Sequence, residues 1–72
     1  MYDKIQLLDV VALTEDRPEH GLRRGQVGTV VDVLARSVFE VEFVDNQGHR
    51  YAMVALHAKQ LVLLHFEPVV AS

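Results

Sequence analysis

The clearest pattern of apolar and polar positions is Val38-Phe39-Glu40-Val41-Glu42-Phe43-Val44. Phe39, Val41 and Phe43 fall on one face and Glu40 and Glu42 on the other, the period-2 mark of a half-buried antiparallel strand. Asp45-Asn46-Gln47-Gly48 follows as a turn in which Gly48 takes positive φ, and His49–Ala55 returns as a strand. Upstream, Asp9–Thr14 is rich in β-branched residues and reads as a strand. It is closed by the polar run Glu15–Gly21, a long loop in which Pro18 keeps Arg17 out of helical conformation. Gln26–Leu34 is a strand entered through Gly25 and interrupted at Gly28, where a bulge or a close backbone approach is expected. Leu56–Gln60 is too short for an independent helix and reads as a single 3₁₀ turn, and Leu61–Phe66 is the last strand.

Five short strands, a long loop after the first and one helical turn before the last predict an all-β fold, a small five-stranded SH3-like barrel. The whole chain, 1–72, is expected to form a single domain, with 1–8 as an N-terminal extension and 67–72 as a C-terminal tail.

Arg23-Arg24-Gly25-Gln26-Val27-Gly28-Thr29-Val30-Val31 raises the question of a phosphate-binding loop. Such a loop needs more glycines and a helix behind them, so that amides and helix dipole both aim at the anion. Here the glycines run into β-branched residues, which favour a strand. Gly21, Gly25, Gly28 and Gly48 are therefore expected to be structural turn or bulge glycines.

The segment Leu22–Val31, LRRGQVGTVV, resembles the KOW-type pattern, in which a glycine-containing turn leads into a Gly-x-Val strand of an SH3-like barrel. Over a longer stretch, DVVALTEDRPEHGLRRGQVGTVVDV followed by FEVEFVDNQGHRYAMVAL is similar to a family of small bacterial proteins known only as a domain of unknown function, from about Asp9 to Leu63. The resemblance implies the barrel and little about activity. The β subunit of nitrile hydratase uses a similar PEHG-to-RG-x-x-G barrel as a scaffold for a partner subunit, which by analogy implies a role in protein contacts. KOW modules bind RNA, usually through a basic surface.

Composition changes that picture. Seven Lys and Arg against ten Asp and Glu give a net charge of −3, a balance that repels nucleic acid and anionic membranes. A local basic set, Arg17, Arg23, Arg24 and Arg36, could still form a patch. Cysteine is absent, which removes disulfides, thiolate chemistry and cysteine-based zinc sites and fits a reducing cytoplasm. The start of the chain carries Asp3 and no long uncharged apolar core, and no stretch reaches the length of a membrane span. A soluble, cytoplasmic, bacterial protein is expected, with no membrane contact and no cofactor.

The four histidines, His20, His49, His57 and His65, fall in a loop, after a turn, in the helical turn and in a strand, without the close spacing of a metal-binding helix, so no metal site is expected. Glu40 and Glu42 stand about 7 Å apart on one strand face. A carboxylate pair needs a cleft to do glycosidase chemistry, so they read as a solvated face or an acidic contact surface for a basic partner. Ser37 and Ser72 are the only serines and neither sits in a nucleophile setting. The chain is therefore expected not to be an enzyme, and no catalytic residue is assigned.

Leu61-Val62-Leu63-Leu64-His65-Phe66 does not alternate, and a strand apolar on both faces must be covered on both. Ile5, Leu7 and Leu8 or a second chain are expected to meet Val62, Leu64 or Phe66. Together with the loop residues Arg17, His20, Arg23 and Arg24, these three form the candidate partner-binding set. The leading expectation is a non-enzymatic protein-binding module, working as a homodimer or with a hetero-partner, in an accessory or antitoxin-like role. The alternative is a KOW-type nucleic-acid-binding module using the arginine patch.

Overall fold

Alternation at Phe39, Val41 and Phe43 builds the centre of the molecule: all three side chains are buried, and the strand that carries them has a partner on each side. The computed structural model describes residues 4–64. Its strands are β1 (Val10–Leu13), β2 (Val27–Ala35), β3 (Val38–Val44), β4 (Arg50–His57) and β5 (Leu61–Leu63), with 3₁₀ turns at Pro18–His20 and Ala58–Gln60. All pairings are antiparallel, in one sheet of order β4-β3-β2-β1-β5. The protein is all-β, as its pattern predicts.

β4 and β5 lie at opposite edges of this sheet, yet only the three-residue turn Ala58–Gln60 joins them. In a flat sheet those edges would stand roughly 19 Å apart, four strand spacings, whereas a three-residue 3₁₀ turn advances about 6 Å. The sheet must therefore curl until its edges approach each other. Its concave face encloses one cluster that draws on every strand: Val11 and Leu13 of β1, Val30 of β2, the β3 trio Phe39, Val41 and Phe43, Val54 and Leu56 of β4, and Leu61 of β5. Leu22, from the first loop, completes it.

The ring of the expected barrel is not closed, because β4 and β5 do not pair among the described residues. β5 has only three residues, and the N–H of Leu61 is taken by the carbonyl of Ala58, so little ladder remains to offer β4.

Strand ends shift by one residue at β1, β2 and the start of β4, and three differences from the sequence reading are larger. Leu56 and His57 belong to β4 and not to the turn, because Leu56 continues the inward series Ala52, Val54 and pairs with Phe39, where it is fully buried. The segment Pro18–His20 is a 3₁₀ turn inside the long loop, opened by the fixed φ of its proline. The last strand ends at Leu63, and His65 and Phe66 lie outside the described residues.

β2 carries two register shifts, between Val30 and Asp32 and between Val33 and Ala35. Strict alternation from the buried Val30 would send Asp32 into the core. The extra residue Val31 reverses this and turns Asp32 out, opposite Glu40, while Val33 pairs with Phe39. The loose alternation of this strand in the sequence has that origin.

The second 3₁₀ turn holds the curl. The side chain of Gln60 accepts the N–H of His57 at 2.8 Å, Nδ1 of His57 accepts the N–H of Lys59 at 3.2 Å, and the Gln60 amide donates to Glu15 at 3.3 Å. Gln60→Ala removes the first and last of these. A loss of about 1 kcal/mol is expected in urea unfolding, the usual cost of a helix cap; an unchanged midpoint would show that this turn does not secure the β4–β5 connection.

Candidate functional site

The loop Glu15–Arg24 is fastened at its neck. Arg17 and Leu22 exchange backbone hydrogen bonds of 2.9 and 3.1 Å, and Leu22 is sunk into the core. Gly21 closes the 3₁₀ turn with φ 70°, its N–H donated to the Pro18 carbonyl. Arg17 points its guanidinium at Glu19 (3.0 Å) and Glu15 (3.5 Å), so its charge is balanced within the loop. Asp16 accepts the backbone N–H of Arg24 at 2.8 Å, and Gln26 accepts that of Arg23. The side chains of His20, Arg23 and Arg24 stay on the surface. A pocket of about 380 Å³ is lined by Asp16, Pro18, Gly21, Leu22 and Arg23. It brings no nucleophile beside a base.

Arg36 lies in the β2–β3 turn, at the far end of β2 from Arg23 and Arg24. Nine strand residues separate them, about 30 Å at the strand rise. The four arginines are not brought together.

The histidines are also kept apart. His20 closes the first 3₁₀ turn, His49 sits 3.7 Å from the Asp45 carboxylate, and His57 caps the second turn. His65 lies outside the described residues. Among the described residues no three His, Asp or Glu side chains are grouped as ligands for a metal ion, and no helix is long and apolar enough to cross a membrane.

The convex face of the sheet carries a different arrangement. Cross-strand register places Val62 of β5 beside Ala12 of β1, and Ala12 beside Val27 of β2. The Thr29–Glu42 register, continued by two residues, sets Val44 of β3 next to Val27. These residues are out of phase with the core positions Val11, Leu13 and Phe43, so they point away from it. The result is an aliphatic row four strands wide in which Val62, Val27 and Val44 keep 48%, 48% and 44% of their surface exposed. Leu64, half-buried, extends it on one side, its N–H bonded to the carbonyl of Val10 at 2.9 Å.

The next row along the convex face is Val10, Thr29, Glu42 and Met53, with Glu42 held by Arg50 at 3.0 Å. Beyond it come Asp32 and Glu40, directly opposed, with Ala55 beside Glu40. The pair Glu40 and Glu42 is thus on a convex strand surface, not in a cleft.

Of the candidate partner-binding residues, Val62 and Leu64 share this face; Arg17, His20, Arg23 and Arg24 belong to the first loop; Phe66 lies outside the described residues. Among the described residues, Ile5, Leu7 and Leu8 leave Val62, Val27 and Val44 about half exposed. Ile5 packs against the core, while Leu7 and Leu8 sit in a turn, with Leu8 at φ 72° and its N–H on the carbonyl of Val30 at 2.7 Å. Sequence reasoning missed Val27 and Val44 as members of the row. Their outward phase was readable from alternation, but their adjacency to Val62 follows only from the register.

The structure defines a small all-β protein built from one curled antiparallel sheet. The chain belongs to the family designated domain of unknown function DUF4926, whose model matches residues 7–63. Neither a curated protein nor a solved structure matches it.

Proposed function

We propose that this protein is a non-enzymatic protein-binding module of the bacterial cytoplasm, an accessory or antitoxin-like partner of another protein. The observation that carries this reading is the aliphatic row Val62, Ala12, Val27 and Val44 on the convex face, in which the three valines are about half exposed and Ala12, between two of them, is buried. Contiguous apolar surface rimmed by polar groups marks contact sites on small soluble domains. Single exposed valines would need no explanation, but a row aligned across four strands does. A nucleic-acid role draws less support, because Arg17 is engaged by Glu15 and Glu19 and Arg36 stands at the far end of β2.

The double variant Val27→Ser/Val62→Ser tests it. Both side chains are half exposed, so the fold is expected to survive with a melting temperature within a few degrees of wild type. Recovered from its native cells, the wild-type protein is expected to bring a stoichiometric protein partner, or a second copy detectable by light scattering, and the variant to lose it. A wild-type chain that is a strict monomer with no partner, or a variant that keeps its partner, would overturn the proposal.

A further inference from the structure

We infer that the partner is a cationic protein segment, which lays apolar side chains on the Val62–Val44 row and a lysine or arginine on the opposed carboxylates Asp32 and Glu40. This rests on the protein-binding reading above and names the chemistry of the occupant.

Two independent features of one face lead to it. The first is the aliphatic row. The second is the way charge is distributed beside it. Asp32 and Glu40 are cross-strand partners, a placement in which like charges destabilise a sheet. Elsewhere on the molecule Glu42 holds Arg50, and Glu15 and Glu19 hold Arg17, while Asp16 accepts only the backbone N–H of Arg24. Among the described residues neither Asp32 nor Glu40 takes part in an ion pair, and Asp32 is exposed, using one oxygen to accept the N–H of Val33 at 2.8 Å. Ala55, the next residue in that row, brings no charge.

This pair is not an accident of a uniformly acidic strand. The register shift after Val30 is what carries Asp32 from the core side to the convex side and sets it against Glu40. A partner cation there would relieve this like-charge juxtaposition, and the net charge of −3 would favour the approach of a basic partner to the molecule.

The spacing fixes the pattern required of the occupant. From Val44 to Glu40 is four residues of β3, about 13 Å at the strand rise. An extended segment aligned with β3 would therefore set an apolar residue over Val44, at the β3 end of the row, and its basic residue four positions further on. An even separation puts both side chains on the same face of that segment, so each contact can be removed without disturbing the other.

The probes are three synthetic peptides of equal length: one of valine and lysine in the spacing just given, and two in which every lysine is replaced by serine or by glutamate. Binding to the full-length protein is followed by amide chemical shifts. The lysine peptide is expected to bind with shifts confined to residues of the convex face, to weaken as salt is raised, and to exceed the serine peptide by about tenfold; the glutamate peptide is expected not to bind. Asp32→Asn/Glu40→Gln should melt no lower than wild type and should bring the lysine peptide down to the level of the serine peptide. If the lysine and serine peptides bind alike and the double variant changes neither, the inference falls while binding through the valine row stands. If the lysine peptide does not bind, or shifts residues of the first loop instead, the inference is overturned, and the fate of the protein-binding reading rests on the separate Val27→Ser/Val62→Ser result.

Discussion

Gly28→Ala is expected to lower stability by about 3 kcal/mol, the upper end of the range for overpacking a well-filled core. Gly28 faces inward on β2, paired with Val11 of β1 on one side and lying against β3 on the other. A Cβ built there would stand 2.6 Å from Cγ1 of Val41, 2.8 Å from the carbonyl oxygen of Glu42 and 2.9 Å from Cε1 of Phe43. The first and third could yield by moving side chains, although both belong to fully buried residues. The second is backbone of the central strand and cannot move without shifting β3 against β2. For a domain of this size each kcal/mol corresponds to roughly 4–8 °C, so a drop of about 15 °C in melting temperature is the expected reading. Gly25→Ala is the control. It has φ 90° but open space around it, so its cost comes from the left-handed backbone alone, about 1–2 kcal/mol. A Gly28→Ala chain that melts within a few degrees of wild type, or one less affected than Gly25→Ala, would contradict the close packing of β2 on β3.

Much of the fold is legible where a strand's own alternation settles its two faces. Phe39, Val41 and Phe43 are core because their neighbours Glu40 and Glu42 must be outside, and no knowledge of the partner strands is needed. The turn at Asp45–Gly48 is legible for a similar local reason. The Asp45 carboxylate accepts the N–H groups of Gln47 and His49, and Gly48 supplies φ 82°. Leu56 is different. Beside His57, Ala58 and Lys59 it looks like part of a turn, and only its cross-strand partner Phe39 makes it strand and core.

The same limit governs the site. The absence of alternation in Leu61–Phe66 is visible in the sequence and points to a second apolar surface at Val62. The residues that make Val62 part of a row lie on β1, β2 and β3, and their alignment depends on three registers that no single segment encodes. Asp32 is the sharpest case. Simple alternation would bury it, and its exposure opposite Glu40 follows from a bulge at Val31 that the sequence marks only as an irregular pattern. Gly28, too, is readable as a special position, but whether it bends its own strand or admits its neighbour is decided by how closely Val41, Glu42 and Phe43 of β3 approach it.

Phe43→Ala carries the largest expected effect. The side chain is fully buried, on the central strand, and its ring lies 6.4 Å from that of Tyr51, tilted by 40°. Tyr51 in turn receives a 3.0 Å hydrogen bond from the Gln26 amide, linking the start of β2 to β4 across that ring. Truncation removes the ring and leaves a cavity that a sheet pinned by β2 and β4 cannot collapse to fill, at a cost of about 4 kcal/mol. Domains of this length have total stabilities of roughly 4–11 kcal/mol, so the loss is a large share of the whole. Urea unfolding followed by circular dichroism is expected to show a midpoint lowered by the equivalent of about 4 kcal/mol, while Phe43→Leu, which keeps most of the volume, should lose no more than about 1.5 kcal/mol. Phe43→Ala is then expected to lower any partner binding in step with the fold, whereas Val27→Ser/Val62→Ser is expected to lower binding alone, because one acts on the concave side of the sheet and the other on the convex. A Phe43→Ala chain with a cooperative transition close to wild type would mean that the concave cluster is not what holds the sheet in its curl.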